Sequence, residues 1–304
     1  MRETFGRCAQ ISGKAVPCVK EDRMLGAYIS FTKRRTVTTF SKKLGVCLDI
    51  CGRIEASLLP LPVRATLVAS VVVPKAIYGS AATPVSKKDM RRLRVACTRA
   101  IWGQSSKWRS PEIVHTLLSK GHVTDPLQAF HYNTLGVCRR VLQRHPEIWA
   151  LYHEVFCRRE DGPECAVGGP IKALFQAVRM CGGTWGENAA TFIIQTSDKG
   201  PQPVCVAEKC SETYKHLLRE GLRMKQWQTV HCRRDTLGGI STGINRAATM
   251  GLQNKLPVLT KYRWRCILTG ALPTYSRLFK MGKVESPSCP CCGMEPETTD
   301  HVFS

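Results

Sequence analysis

The chain has 304 residues, enough for one large domain or two of ordinary size, and its composition, 43% hydrophobic and 22% charged, excludes a disordered or low-complexity protein. Its 45 Lys+Arg against 23 Asp+Glu give a formal net charge of +22, a self-repelling balance that a polyanion relieves, nucleic acid first and a membrane surface second. The most apolar run, 65–73, is far shorter than the roughly 20 residues a spanning helix needs. No signal-peptide core opens the chain, and cysteines scattered singly through apolar patterns suit a reducing compartment. The expectation is therefore an intracellular protein, nuclear or cytoplasmic, with no membrane partner.

Residues 1–24 carry little signal. The stretch 24–31 alternates apolar and small residues as a short strand does, which predicts a hairpin with Gly26 at a close backbone approach. From Lys33 the chain is basic, then places Leu44, Cys47, Leu48, Ile54 and Leu58 at helical spacing, weakened by Gly45 and Gly52. Over 62–76, Val63, Leu67, Val68, Val71 and Val72 show the pattern of a buried helix, broken at Tyr78-Gly79-Ser80. Ser86 as N-cap and Asp89 in the first turn then start a helix with the apolar stripe Met90, Leu93, Cys97 and Ile101. Lys88, Arg91, Arg92 and Arg99 fall on its other side, where guanidinium groups either meet phosphate or form a solvated face.

Ser110-Pro111-Glu112 reads as a helix start, with Ile113, Val114, Leu117 and Leu118 on one face and Gly121 as the stop. Asp125-Pro126 opens a longer helix to His145, and Pro146 another through Ile148, Trp149, Tyr152 and Phe156, so that short joints indicate a helical layer. A loop over 159–170 precedes a helix ended by Gly182-Gly183, and Trp185 with 191–195 predicts a small strand pair. Any domain boundary is placed between 182 and 210. Ser211 is read as the cap of a helix with Tyr214, Leu217, Leu218 and Leu222 on one face and Lys215, Arg219 and Arg223 on another. Over 211–265 there are 11 Lys/Arg against 3 acids, Arg233, Arg234 and Arg263 among them, interleaved with Trp227, Tyr262 and Trp264. Such rings either stack on unpaired bases or belong to the core. His115, His122 and His131 are read as surface or core residues.

Near the C-terminus, Cys289 and Cys292 have the two-residue spacing that aims both sulfurs at one ion, Gly293 suits the turn, and His301 supplies a third ligand. A tetrahedral site needs a fourth, and Cys291, Glu297 and Asp300 are poor substitutes. No phosphate-cradling GxxxxGK[ST] loop, HExxH or GxSxG is present, and the His153/Cys157 spacing is one that helices produce by chance, so no catalytic residue is nominated.

Taken together, LGAYIS, LPLPVRATLVASVVVPKAIYG, the basic helix ending RAIWG, SPEIVHTLLSKGHVTDP and CPCCGMEPETTDHVF resemble the C-terminal part of reverse transcriptases from non-LTR (LINE-type) retrotransposons. The resemblance implies a mainly α fold: a multi-helical thumb and linker, a short N-terminal β-hairpin, the small strand pair near 191–195 and an incomplete zinc knuckle. It implies the end of the palm and start of the thumb over 1–57, helical thumb and linker over 58–182, a second basic helical region over 183–283 and the truncated CCHC-type knuckle over 284–304. It further implies RNA, DNA or their hybrid as partner, with Lys88, Arg91, Arg92, Arg99, Lys215, Arg219, Arg223, Arg233, Arg234 and Arg263 at the contact. Zinc would sit on Cys289, Cys292 and His301, its last ligand expected just beyond Ser304. The paired aspartates that hold two magnesium ions are not found, so palm and fingers are expected as a separate partner. The alternative is a self-contained helical protein-interaction module with a zinc-stabilised tail.

Overall fold

The structure is a computed structural model that describes residues 9–11, 14–16, 21–24, 27–30, 38–80, 85–103, 109–157, 170–186, 189–197, 199–234, 237, 240–241 and 243–303. It is mainly helical. Two antiparallel hairpins come first, β1 (Ala9–Ile11) on β2 (Lys14–Val16) and β3 (Glu21–Met24) on β4 (Ala27–Ser30), the second in register Met24 to Ala27. The expected strand is β4; its partner β3 lies in the stretch without signal, and Gly26 lies outside the described residues.

Helix α1 (Thr38–Ala56) buries Leu44, Cys47, Cys51 and Ile54, while Gly45 and Gly52 face open space and cost only their intrinsic propensity, about 1 kcal/mol each. Leu58 lies beyond the helix end and is fully exposed, so it is not part of the stripe. Next come α2 (Leu61–Leu67), a π-turn (Val68–Val72) and α3 (Val73–Ile77), one after another without a break. Pro74 explains the π-turn. It has no N–H for the Ser70 carbonyl and its ring would press on that group, and widening the preceding turn relieves both. Leu61, Ala65, Val68 and Val72 are buried at ordinary helical spacing, joined past the wider turn by Val73 and Ala76, whereas Val63 and Val71 of the expected stripe face outward.

Helix α4 (Lys87–Trp102) starts as expected, with Ser86 Oγ accepting from the Asp89 amide, and it buries Met90, Leu93, Cys97 and Ile101 against α1. A seam of thiols lies between the two helices, Cys51 Sγ 3.9 Å from Cys97 Sγ, and burial pushes the neighbouring Cys47 thiol up to about 11. Helix α5 (Pro111–Thr116) begins at the predicted proline, but Ser110 does not cap it: its hydroxyl donates to Glu112 Oε2 at 2.9 Å. Gly121 opens the short α6 (Gly121–Thr124) instead of closing a helix, because Gln128 crowds the position where a Cβ would lie. Asp125 caps α7 (Pro126–Arg144) through the Leu127 amide at 3.0 Å.

The side chain that ties these helices together is Arg94. Its Nε donates to Asp125 Oδ2 (2.9 Å), Nη1 to Glu112 Oε1 (3.3 Å) and Nη2 to Gln226 Oε1 (3.0 Å). Burial would raise the Asp125 carboxyl, but Arg94 and the Gln128 hydrogen bond outweigh it and hold it below the usual range. Beside this network His115 is fully buried, its Nε2 3.0 Å from Thr98 Oγ1 and its Nδ1 3.2 Å from Thr124 Oγ1. The Thr98 hydroxyl is donated to the Arg94 carbonyl, so Nε2 carries the hydrogen towards Thr98.

Helices α8 (Ile148–Cys157) and α9 (Pro170–Met180) pack with the far half of α7. Gly182 (φ +69°) and Gly183 end α9 in a Schellman pair, Gly183 N to Val178 O and Gly182 N to Arg179 O. The expected strand pair gains a third member: β5 (Thr184–Trp185), β6 (Thr191–Thr196) and β7 (Gly200–Cys205) form an antiparallel sheet in that order. The 200–205 segment, prolines included, serves as an edge strand, where a missing N–H is tolerated.

Helix α10 (Ser211–His231) crosses this sheet at Gly221, where any Cβ would lie 2.5 Å from Ile194 Cγ2. Ser211 is its first residue and Cys210 occupies the cap position, one residue earlier than expected and without a side-chain cap. Leu174, Val178, Phe192, Ile194, Val204, Tyr214 and Leu218 share one core, which runs across 182–210. The chain closes with α11 (Arg246–Lys255), α12 (Val258–Leu268), α13 (Tyr275–Lys280) and α14 (Thr299–Phe303). No helix among the described residues is long and apolar enough to cross a membrane.

Removing the guanidinium from this network leaves the Asp125 carboxylate buried and uncompensated. Arg94→Met should therefore cost about 3–5 kcal/mol in urea unfolding, part of it recovered when Asp125→Asn is added; equal stability of wild type and R94M would refute the clamp. Burial also holds His115 and His131 near pH 4. The unfolded chain, whose histidines titrate near 6.5, then binds more protons, so stability should be full above that value and fall as the pH drops towards about 4. His115→Gln should flatten this slope in thermal melts taken across the range.

Candidate functional site

The expected cations of α4 stand on one groove. Lys87, Lys88, Arg91, Arg92 and Arg99, with Val95, Ala96 and Leu48 of α1, line a shallow depression of about 720 Å³. Its floor is aliphatic and its rim is cationic. Arg92 reaches Asp89 at 3.7 Å and Arg99 reaches Glu55 at 3.2 Å. Exposed pairs of this kind are worth about 0–1 kcal/mol, so both guanidinium groups are cheaply released to a stronger anion. Lys87, Lys88 and Arg91 have no ion-pair partner among the described residues. Lys87 is a rim residue that the sequence reading missed, although it directly precedes Lys88.

The cations of α10 are placed differently. Lys215 bonds Glu212 at 2.8 Å, Arg219 lies 3.8 Å from the same carboxylate, and Arg223 bonds Glu220 at 2.7 Å with its guanidinium over the Trp227 ring. Arg233 reaches Glu112 at 3.7 Å, Arg234 is half-buried, and Arg263 is exposed on α12 beside the exposed Tyr262. Trp227 is a core residue whose Nε1 donates to Thr116 Oγ1 at 3.1 Å, so it presents no face to a base. The predicted set thus separates into a free face on α4 and a largely neutralised face on α10.

The metal-ligand residues do converge. Sγ of Cys289, Sγ of Cys292 and a ring nitrogen of His301 lie within 4.8 Å of one another, a group that can hold a metal ion. The backbone prepares it: the Gly293 amide donates to the Cys289 carbonyl at 2.7 Å with Gly293 at φ +71°, and the Cys291 amide points at Cys289 Sγ (3.4 Å). The amides of Cys292 and Cys291, with His301, bring the Cys289 thiol down to about 7, towards the thiolate that metals require. Cys291 is exposed and its thiol is pushed up by Cys289, which suits a bystander. Thr298 Oγ1 accepts from the His301 amide, and Glu295 Oε2 lies 3.2 Å from His301 Nδ1, leaving Nε2 on Cys292 Sγ at 3.5 Å. Glu295 is the orienting carboxylate typical of metal-binding histidines, and no spacing rule in the sequence marked it. Two sulfurs and an imidazole are a borderline-soft donor set, which fits zinc.

Comparison with protein-family models, with curated proteins and with solved structures finds no match. The chemistry of these residues is therefore the guide to what the chain does.

Cobalt(II) titration followed by its thiolate charge-transfer absorption should show binding that Cys289→Ser abolishes. Glu295→Ala should weaken it about 10–100-fold; wild-type affinity in E295A would exclude the orienting role.

Proposed function

We propose that the chain holds a nucleic-acid strand along α4 and is the thumb, linker and knuckle part of a non-LTR retrotransposon reverse transcriptase. The observation that carries the reading is the groove: five cations on one rim, two weakly paired and three without an ion-pair partner, over an aliphatic floor. A net charge of +22 supports the same partner. RNA or an RNA–DNA hybrid is the strand expected, and it is gripped by its phosphates rather than read by its bases. On this reading bond-making, with its two magnesium ions, belongs to palm and fingers, and the chain alone is catalytically silent. Zinc is the ion for Cys289, Cys292 and His301. An intracellular place of action, nuclear or cytoplasmic, goes with it.

The second reading, a helical module that binds another protein, is favoured by Val258 and Leu259, which stand 81% and 82% exposed at the start of α12. The two separate on one measurement. The triple variant Lys88→Gln, Arg91→Gln, Arg92→Gln should lose strand affinity at low salt and lower the slope of log K against log salt by about 0.7 per contact for single strands. Absence of strand binding by the wild-type chain at low salt would leave the protein-binding module as the reading to pursue.

A further inference from the structure

A second group of cations is drawn together from stretches far apart in the chain. Lys120 ends the loop before α6, Arg219 and Arg223 stand on successive turns of α10, and Arg246 is the first residue of α11. All four act on His122 in α6, whose imidazole burial and these neighbours depress to about 4. Two acids, Glu212 and Glu220, stand among them. Glu212 holds Lys215 at 2.8 Å and only brushes Arg219 at 3.8 Å, while Glu220 is occupied by Arg223 at 2.7 Å. Arg246 Nη2 donates to the Ser119 carbonyl at 3.4 Å and has no ion-pair partner within reach among the described residues, although Glu220 acts on it from farther away. Arg219 and Arg246 each bury an Nε that finds no acceptor among the described residues. Buried donors of charged groups left without acceptors cost free energy that a multivalent oxyanion returns. Beside them the half-buried rings of His122 and Tyr132 meet at 5.1 Å and 58°.

We propose that this cluster is a second phosphate site, in which Lys120, Arg219, Arg223 and Arg246 receive a backbone phosphate of the bound strand and the His122–Tyr132 pair supports the adjoining unpaired base. The inference rests on the nucleic-acid reading above and adds to it a separate site and a preference for a single strand. Four cations against two acids, Glu212 shared with Lys215 and Glu220 paired to Arg223, leave a positive excess that suits a phosphodiester. A neutral imidazole next to a phenol ring offers a stacking face that a paired base cannot use. Arg223 and Arg219 thereby acquire a role that their spacing along α10 showed only as a charged face.

The test compares single-stranded RNA binding by the full chain, followed by fluorescence anisotropy across a salt series. The variants are Lys120→Gln, Lys120→Gln with Arg246→Gln, His122→Ala, and the α4 triple variant. Lys120 is exposed, so its single variant keeps the comparison meaningful even where the double variant is less stable. The expected result is a slope lowered by about 0.7 in K120Q and about 1.4 in the double variant, additive with the α4 loss. H122A should weaken single-strand binding several-fold with an unchanged slope and leave duplex binding alone. Inorganic phosphate at constant ionic strength should displace no RNA, since one free phosphate lacks the ring contact and the second groove. A wild-type slope in K120Q and K120Q/R246Q, together with a reduced slope in the α4 variant, would overturn the second site and leave the groove standing. No RNA binding by the wild-type chain would remove both.

Discussion

One guanidinium ties α4, α5, α7 and α10 together. Arg94 gives its donors to a carboxylate at the head of α7, a carboxylate in α5 and an amide in α10, so four helices are fixed against one another through a single planar fork. Charges taken out of water are costly, and such a network is tolerable only when every member is satisfied. Here Asp125 also caps its own helix and accepts from Gln128, which leaves little of its hydrogen-bonding capacity unused. The consequence for the surface is direct. With Arg94 anchored inward, α4 cannot roll, and the residues on its far side are presented as a fixed array against α1.

The charge balance of the chain looks different once the side chains are placed. Some cations are structural: Arg94 within the network, and Arg139, which donates to the Glu208 and Lys209 carbonyls and braces the loop leading into α10. Others are held by neighbouring acids, as along α10. Others again, Lys87, Lys88 and Arg91 on α4 and Lys120 and Arg246 beside His122, have no ion-pair partner among the described residues. At both places an added anion gains from several cations at once.

Two side-chain caps were legible, Ser86 and Asp125, because their own oxygen atoms accept the first free amides, whereas Asn245, which caps α11 in the same way, was not read from the sequence. Ser110 marked its helix start correctly but donates its hydroxyl to Glu112 instead of capping, and Ser211 misled by one residue because it already lies inside its helix. The group that can hold a metal was legible in its three residues, because such a site needs fixed residue types at short spacing. Glu295 was not, as an orienting carboxylate can stand at any distance that reaches the ring. Arg94 was also out of reach, because its partners lie from 18 to 132 residues away along the chain, and the cluster at His122 draws Arg219, Arg223 and Arg246 from other helices that only packing brings to it.

The π-turn at Val68–Val72 makes the length of this segment as important as its composition. It stores one surplus residue in the winding, so the turns on either side are out of step and the chain leaves α3 in a direction that a regular helix would not give. Tyr78 lies at that exit, where its carbonyl takes the Lys43 ammonium at 2.8 Å and its ring lies 4.7 Å beneath the same group. A single-codon deletion within 68–72 would restore even winding, drive Pro74 against the carbonyl it now avoids, and swing Tyr78 off the first turns of α1. Substitutions that keep the apolar character of this stretch leave that geometry intact, so here evolution can spell the segment freely but cannot shorten it.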